Sequence, residues 1–288
     1  MGSDSCFRIG SNHTVCQDYA ASGHDGLGHP YAIVSDGCSG SPHTDYGARF
    51  LVQAARLQLE GKIAPGAAIP GSDPAFASLE WNAILPTARM MAMSAHLSRQ
   101  CLDATLIRAM IVGLDVWVHQ AGDGVVAARR RGTGKLEFST RRFGENMPYY
   151  LSYRLDSREE VKYFDTARSY KQVVGCRSRE TLEPPVPSMW SVNQGQEMRL
   201  ERHMLVDEMH FPVEIYDLVF IMTDGAESFQ DASGEPVPLT SILDELFDIK
   251  SYSGEFIARR CNRFLGRVCA ERGWKHSDDL AVAGIHLP

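Results

Sequence analysis

The sequence predicts an α+β chain, and three observations carry the prediction. Stretches of helical period fall in two separate groups, within residues 50–98 and 240–272. Between them lie strand-like segments parted by glycine turns, a β-meander and not a βαβ alternation. Two apolar runs of strand length, 31–36 and 218–224, each end in an aspartate followed by glycine. The chain has 288 residues, 44% hydrophobic and 23% charged, which is ample for a sizeable core. No linker composition demands a boundary, so residues 1–288 are read as one domain.

The elements follow in order. Residues 1–30 are polar and rich in Gly, His and Asp, with 16–20 as a short edge strand. Residues 31–36 form a buried strand, broken by Gly37, Gly40 and Pro42. From Gly47 the period turns helical: Phe50, Ala54 and Leu57 repeat, as do Leu51, Ala55 and Leu59. Thr44 or Asp45 is the expected cap, because a short side-chain oxygen accepts a free first-turn amide. Residues 62–74 read as a loop. A second helix is expected over 76–98, with Met90, Met91, Met93 and Leu97 packing the core.

Residues 107–112 and 114–120 pair around Gly113. Gly122-Asp123-Gly124 is a tight-turn signature leading into 125–131, and 135–142 follows the next turn. The basic run Arg129, Arg130 and Arg131 reads as a solvated strand end. Residues 144–215 are long, polar and irregular and read as an irregular insert. Tyr149, Tyr150 and Tyr153 are expected to pack it onto the body. After the 218–224 strand, 240–247 suggests a short helix and 254–272 a longer one, with Ser253 as cap. Its stripe runs through Phe256, Ile257, Arg260, Cys261, Phe264, Leu265, Val268 and Cys269, and Gly273 stops it. Residues 280–287 form the last strand.

Composition excludes some partners. A net charge of -7 and a pI near 5.8 disfavour a nucleic-acid backbone. The seven cysteines, Cys6, Cys16, Cys38, Cys101, Cys176, Cys261 and Cys269, form no C-x-x-C pair, so they suit reduced thiols. Residues 1–17 hold no apolar run of signal-peptide length, and no stretch approaches the ~20 apolar residues of a membrane span. The expectation is a soluble, cytoplasmic protein.

Three acidic spots draw the chemistry together: Ser35-Asp36-Gly37, Thr223-Asp224-Gly225 and Ser277-Asp278-Asp279. A hard divalent cation such as Mg²⁺ or Mn²⁺ prefers carboxylate, carbonyl and water oxygens. Asp36, the Gly37 carbonyl, Asp224 and Asp278 fit that need, and Asp18 is a further candidate reaching the ions through water. The glycines after Asp36 and Asp224 are expected to turn the chain away and leave room for water. Taken singly, Asp-Gly is an ordinary turn signal.

Five ordered motifs carry a resemblance over nearly the whole chain. They are Gln17-Asp18; V-S-D-G-C-S-G at 34–40; Asp103-Ala104-Thr105 with Gly122-Asp123-Gly124; M-T-D-G at 222–225; and Ser277-Asp278-Asp279. In this order the chain resembles the metal-dependent serine/threonine protein phosphatases of the 2C type, in a divergent, bacterial-like form. The resemblance implies a four-layer αββα sandwich, two antiparallel sheets flanked by antiparallel helices. It implies Mn²⁺ or Mg²⁺, with Asp36 bridging two ions, the Gly37 carbonyl on one, Asp224 and Asp278 on the other, and Asp123 helping a third. It implies hydrolysis of phosphoserine and phosphothreonine in proteins that a kinase has modified, by water activated between two ions.

Two departures stand out. Relatives place a phosphate-gripping arginine five residues before the first aspartate, where this chain has His13. They place a histidine directly after the Asp-Gly pair, where this chain has Cys38. His13 and His43 are the candidate substrate-binding residues, and His13 joins Asp36, Asp224 and Asp278 as a candidate catalytic group. The departures leave an alternative, a weak or inactive relative that binds phosphoproteins. A phosphatase with an aspartyl nucleophile is disfavoured, because Asp36 lacks the second carboxylate of a D-x-D pair.

Overall fold

Alternation along each strand sorts the apolar residues onto two faces, and this sorting builds the layers. In the computed structural model, residues 1–62, 81–166, 169–177, 197–199 and 205–288 are described. The first strands are β1 (Gly2–Arg8), β2 (Tyr19–His24) and β3 (Pro30–Ser35), followed by helices α1 (Thr44–Leu59) and α2 (Trp81–Ser94). Then come β4 (Leu106–Val112), β5 (Asp115–Ala121), β6 (Gly124–Arg130) and β7 (Leu136–Phe143). Helix α3 (Ser157–Thr166), β8 (Ser169–Arg177), β9 (Glu197–Arg199), β10 (Val206–Pro212) and β11 (Tyr216–Met222) follow. The chain closes with β12 (Phe229–Gln230), α4 (Leu239–Phe247), α5 (Phe256–Arg263), α6 (Cys269–Arg272), β13 (Lys275–His276) and β14 (Leu280–His286).

The strands form a 7-stranded sheet, β1-β14-β11-β6-β7-β8-β9, and a 5-stranded sheet, β10-β5-β4-β3-β2, beside the short β12-β13 pair. Neighbouring strands are antiparallel throughout. Ala32 and Val34, Ile107 and Ala109, Val126 and Ala128, Val219 and Ile221, Ala281 and Ala283 meet between the sheets. The alternate residues turn outward. Tyr31, Ile33 and Leu106 pack under α1 and α2, while Val125, Phe220 and Val282 pack under α4 to α6. The four-layer αββα order is therefore written in the strand alternation. No helix among the described residues is long and apolar enough to cross a membrane.

Several sequence expectations change. The strand expected at 16–20 is β2, later in sequence, and it does form an edge of its sheet. β1 was not expected. His43, and neither Thr44 nor Asp45, takes the cap position of α1; the Thr44 hydroxyl donates to the Cys38 carbonyl at 3.0 Å instead. The predicted loop at 62–74 lies outside the described residues, apart from Lys62. In α2 the core face is Ala83, Ile84, Leu85, Ala88 and Ala92, while Met90 and Met93 are exposed. Small residues let α2 lie close to its neighbours, so the methionines face outward.

Gly122-Asp123-Gly124 does not close a hairpin. It carries the chain from β5 in one sheet to β6 in the other, with Gly122 at φ 92 and Gly124 at φ 126, values that favour glycine. The predicted irregular insert holds α3 and the strands β8, β9 and β10, of which β10 pairs with β5. Tyr149, Tyr163 and Leu205 form a small core there, so the tyrosines do pack the segment down. The arginine run is no solvated end. Arg129 holds Asp217 at 2.8 Å, Arg130 holds Glu137 at 2.6 Å, and Arg131 donates to three backbone carbonyls.

The last long helix is capped from afar. Ser253 gives way to Asp4 of β1, whose Oδ2 accepts the Ile257 amide at 2.6 Å and the Ala258 amide at 3.0 Å. A π-turn at Phe264–Val268 interrupts the helix and keeps Phe264 and Cys269 in the core. Gly273, at φ 70, ends it as expected, with the Trp274 amide donating to the Cys269 carbonyl at 2.8 Å.

Candidate active site

Strand register gathers the acidic residues at one rim of the sandwich. Tyr19, which opens β2, faces Ser35, which ends β3. Met222, which ends β11, faces Val282 near the start of β14 and Val125 near the start of β6. The residues just outside these ends are Asp18, Asp36, Asp123, Asp224 and Asp278. Each charges its neighbours: Asp36 feels Asp18, Asp224 and Asp123, and Asp224 feels Asp123, Asp278 and Asp18.

Asp36 is fixed by its backbone. Its amide donates to Thr105 Oγ1 at 3.0 Å, and its carbonyl accepts the Thr105 amide at 2.8 Å. Gly37 bridges to Ala104, and the Cys38 amide donates to the Asp103 carbonyl at 2.9 Å. Asp103 itself accepts Ser41 Oγ at 2.8 Å and Ser152 Oγ at 2.5 Å. The Asp103-Ala104-Thr105 motif is thus a clamp that extends the sheet past β3. Gln17 braces the same loop, donating to Thr44 Oγ1 at 3.0 Å and accepting Ser39 Oγ at 2.9 Å.

The glycines after Asp36 and Asp224 serve close packing, not a turn with positive φ. A Cβ on Gly37 would stand 2.7 Å from the Thr44 carbonyl oxygen, and one on Gly225 would stand 1.6 Å from that of Asp279. The aspartates sit where they do because backbone lies directly against backbone.

The electrostatics of this rim call for positive charge. Asp18 is 1% exposed and Asp123 is 6% exposed. Thr223 Oγ1 donates to Asp18 Oδ2 at 2.6 Å, but Asp18 Oδ1 and Asp123 Oδ1 are buried with no hydrogen-bond partner among the described residues. Burial pushes Asp18 up to about 7, while the adjacent Asp36 carboxyl and the Thr223 hydroxyl pull it down. Burial pushes Asp123 up to about 6. Asp36 and Asp224 lie well above the ordinary carboxylate range, chiefly through burial and then through neighbouring charge, led by Asp18 for Asp36 and by Asp123 for Asp224. Burying several carboxylates together is costly unless cations or protons neutralise them.

The orphaned oxygens and the oxygen-only donor set fit a hard divalent ion. Among the described residues no three His, Cys, Asp or Glu side chains close into a metal cage.

The tail pair divides its work. Asp279, 1% exposed, accepts the Gly10 amide at 2.7 Å, the Gln17 amide at 2.6 Å and lies 2.9 Å from His13 Nδ1. Asp278 is more open, with 42% of its side chain exposed, and lies 3.6 Å from His13 Nε2. His13 is raised above its ordinary value: burial opposes the shift, but the Asp279 hydrogen bond and the charges of Asp279, Asp278 and Asp18 outweigh it. The structure therefore brings His13 into the cluster, with its ring already engaged by acids. His43 stands apart, exposed and at φ 60 before α1, and no hydrogen bond or ion pair among the described residues ties it to the acids.

Sequence reasoning missed an ion pair on this rim, Arg142 with Glu227. Glu227 ends the short turn that Asp224 opens, and its charge acts on Asp224 and Asp123. A T-D-G followed by an acid two residues on was the available signal, but its partner lies on a distant strand.

An αββα sandwich with buried carboxylates gathered at one rim defines a fold class with an oxygen-donor centre. The chain belongs to the protein phosphatase 2C family, whose model matches residues 9–257. Solved structures agree on the fold. A bacterial serine phosphatase is 10% identical with a TM-score of 0.55, covering 99% of this chain and 97% of that one. Serine/threonine phosphatase Stp1 from Staphylococcus aureus is 11% identical with a TM-score of 0.51, covering 99% and 94%. The S. agalactiae serine/threonine phosphatase is 12% identical with a TM-score of 0.50, covering 99% of each chain. No curated protein matches the chain by sequence.

Proposed function

We propose that this protein removes phosphate from phosphoserine and phosphothreonine in proteins that a kinase has modified, and that it needs Mn²⁺ or Mg²⁺ to do so. The observation that carries the reading is the pair of buried, unpartnered carboxylate oxygens, Asp18 Oδ1 and Asp123 Oδ1, in a rim of mutually repelling acids. Asp36, the Gly37 carbonyl, Asp224 and Asp278 are the residues that would hold two ions, with Asp18 acting through water and Asp123 helping a third. Bound there, divalent ions supply an acidified water as nucleophile and neutralise charge on the phosphoryl oxygens.

The chain's own residues set the stage for that chemistry. Thr105 fixes the Asp36 backbone, Thr223 orients Asp18, and Asp279 fixes the first loop through two amides. These contacts hold the acids before substrate arrives, which reduces reorganisation during the reaction. The Cys38 thiol is a weak hydrogen-bond donor, so solvent is the proposed proton source for the leaving alcohol.

One observation favours a second reading, a weak or inactive relative that binds phosphoproteins. The residue at the arginine position, His13, is already tied to Asp279. Turnover of phosphoserine and phosphothreonine peptides across a Mn²⁺ titration separates the two. The enzyme reading expects hydrolysis that EDTA stops and that Asp36→Asn reduces by about a thousandfold or more, roughly 4 kcal/mol of barrier. Tight peptide binding with no hydrolysis at any Mn²⁺ concentration would leave the binding module standing alone.

A further inference from the structure

β7 reaches the acidic rim with two consecutive arginines that face opposite ways, as neighbours on a strand must. Arg141 is 2% exposed, and its charge acts on Asp123 from within. Arg142 turns outward, with 61% of its side chain exposed, against Glu227 at 13%. The Arg142 Nε donates to Glu227 Oε2 at 3.2 Å, and its second nitrogen, Nη2, donates to Oε1. Arg142 also feels the charge of Asp224. A two-point guanidinium fork is therefore held in place beside the acids, and it faces water.

We propose that Arg142 grips the substrate phosphate, releasing Glu227 to do so, and that it fills the role left open at position 13. The inference rests on the phosphatase reading above. A guanidinium fork matches two oxygens of a carboxylate and two of a phosphate equally well. A phosphomonoester carries more charge than Glu227, so it competes for the fork on favourable terms. Exposure of Arg142 means that its own exchange requires little new desolvation, and the dianion's second charge has to offset the two contacts that Glu227, 13% exposed, gives up. His13 offers no such exchange. Its Nδ1 lies 2.9 Å from the buried Asp279 carboxylate, and 21% of its side chain is exposed. A single imidazole nitrogen also cannot match two phosphate oxygens as the guanidinium fork does. Glu227 has a second part, since it keeps the fork aligned and neutral until a dianion arrives. The ligand class is thus a phosphomonoester dianion, in preference to a singly charged diester.

Steady-state kinetics on a phosphothreonine peptide, at saturating Mn²⁺, tests the assignment with the parent, Arg142→Ala, Arg142→Lys and Glu227→Gln. Arg142→Ala is expected to raise KM by about tenfold or more with kcat within about threefold, as loss of one charge-assisted contact should. Arg142→Lys should fall between, since lysine keeps the charge and loses the fork. Glu227→Gln should lower KM by about threefold by freeing the arginine. Thermal melts close to the parent's establish that each variant folds. An unchanged KM in Arg142→Ala, or a loss confined to kcat, overturns the proposal. If the parent itself shows no turnover, the phosphatase reading fails separately. The same proteins are then titrated calorimetrically with inorganic phosphate in Mn²⁺. Weakening by about tenfold in Arg142→Ala supports the grip, and equal binding overturns it.

Discussion

Thr223 shows how much one hydroxyl decides at this rim. It donates to Asp18 Oδ2 at 2.6 Å and accepts the Ala281 amide at 2.9 Å, so it ties a buried acid to the first turn of the last strand. Thr223→Val keeps the shape and removes both bonds, leaving a buried carboxylate oxygen and a buried amide unsatisfied. The expected cost is about 1–3 kcal/mol, a fall in the melting midpoint of roughly 2–10 °C for a chain of this size. Thr223→Ser should retain most of the stability. Melts in EDTA check this, and equal midpoints for the Val and Ser variants would contradict it. At this scale the acids were legible in the sequence, because cation chemistry admits few residue types and each aspartate follows or precedes an apolar run. The pairs His13–Asp279 and Arg142–Glu227 were not legible, because each depends on which strands become neighbours.

Among the elements, the short turn after β11 is the most constrained. A Cβ at Gly225 would lie 1.6 Å from the Asp279 carbonyl oxygen, whereas one at Gly266, in the π-turn, meets nothing within 4 Å. Gly225→Ala must therefore push the turn off β14. It is expected to lose more than about 3 kcal/mol and to displace Asp224 with it. Gly266→Ala should be neutral or stabilise by up to about 1 kcal/mol, because alanine suits a helix better than glycine. Denaturant melts of the two variants give the comparison, and similar midpoints would refute the backbone-contact account. The strands with unbroken apolar runs, β3, β11 and β14, were plain in the sequence. β1 was hidden because its inward residues include Asp4, a polar side chain retained to cap α5. β10 was hidden for a related reason. Its inward Met209 and Phe211 alternate with Glu208 and His210 on a sheet edge, so no apolar run announces it.

For the whole molecule, the sandwich fixes a charge imbalance that only protons or cations relieve, and the two reliefs compete. Without cations, folding raises Asp18 to about 7 and Asp123 to about 6, while both ionise near 4 when unfolded. From about pH 4 to about pH 7 the folded state holds more protons than the unfolded one, so stability falls as pH rises. His13 acts in the same direction: its value is raised, so its contribution is present below about 6.5 and is lost as pH climbs through the folded value. His276 and His286 oppose this. Burial lowers both, so their contribution grows as pH rises toward about 6.5. The contrast between Mn²⁺ and EDTA cancels His286, which lies away from the acids, whereas His276 feels Asp279 and Asp278 and stays part of the comparison. Cations need the carboxylates ionised, so the Mn²⁺ gain should be largest at high pH. At a hundredfold excess over Kd the expected gain is about 2.7 kcal/mol, roughly 5–10 °C near pH 7.5, shrinking toward zero by about pH 5. Asp36→Asn should abolish most of it. A gain that is equal at both pH values, or that survives in Asp36→Asn, would place the cation elsewhere and leave the acidic rim without its partner.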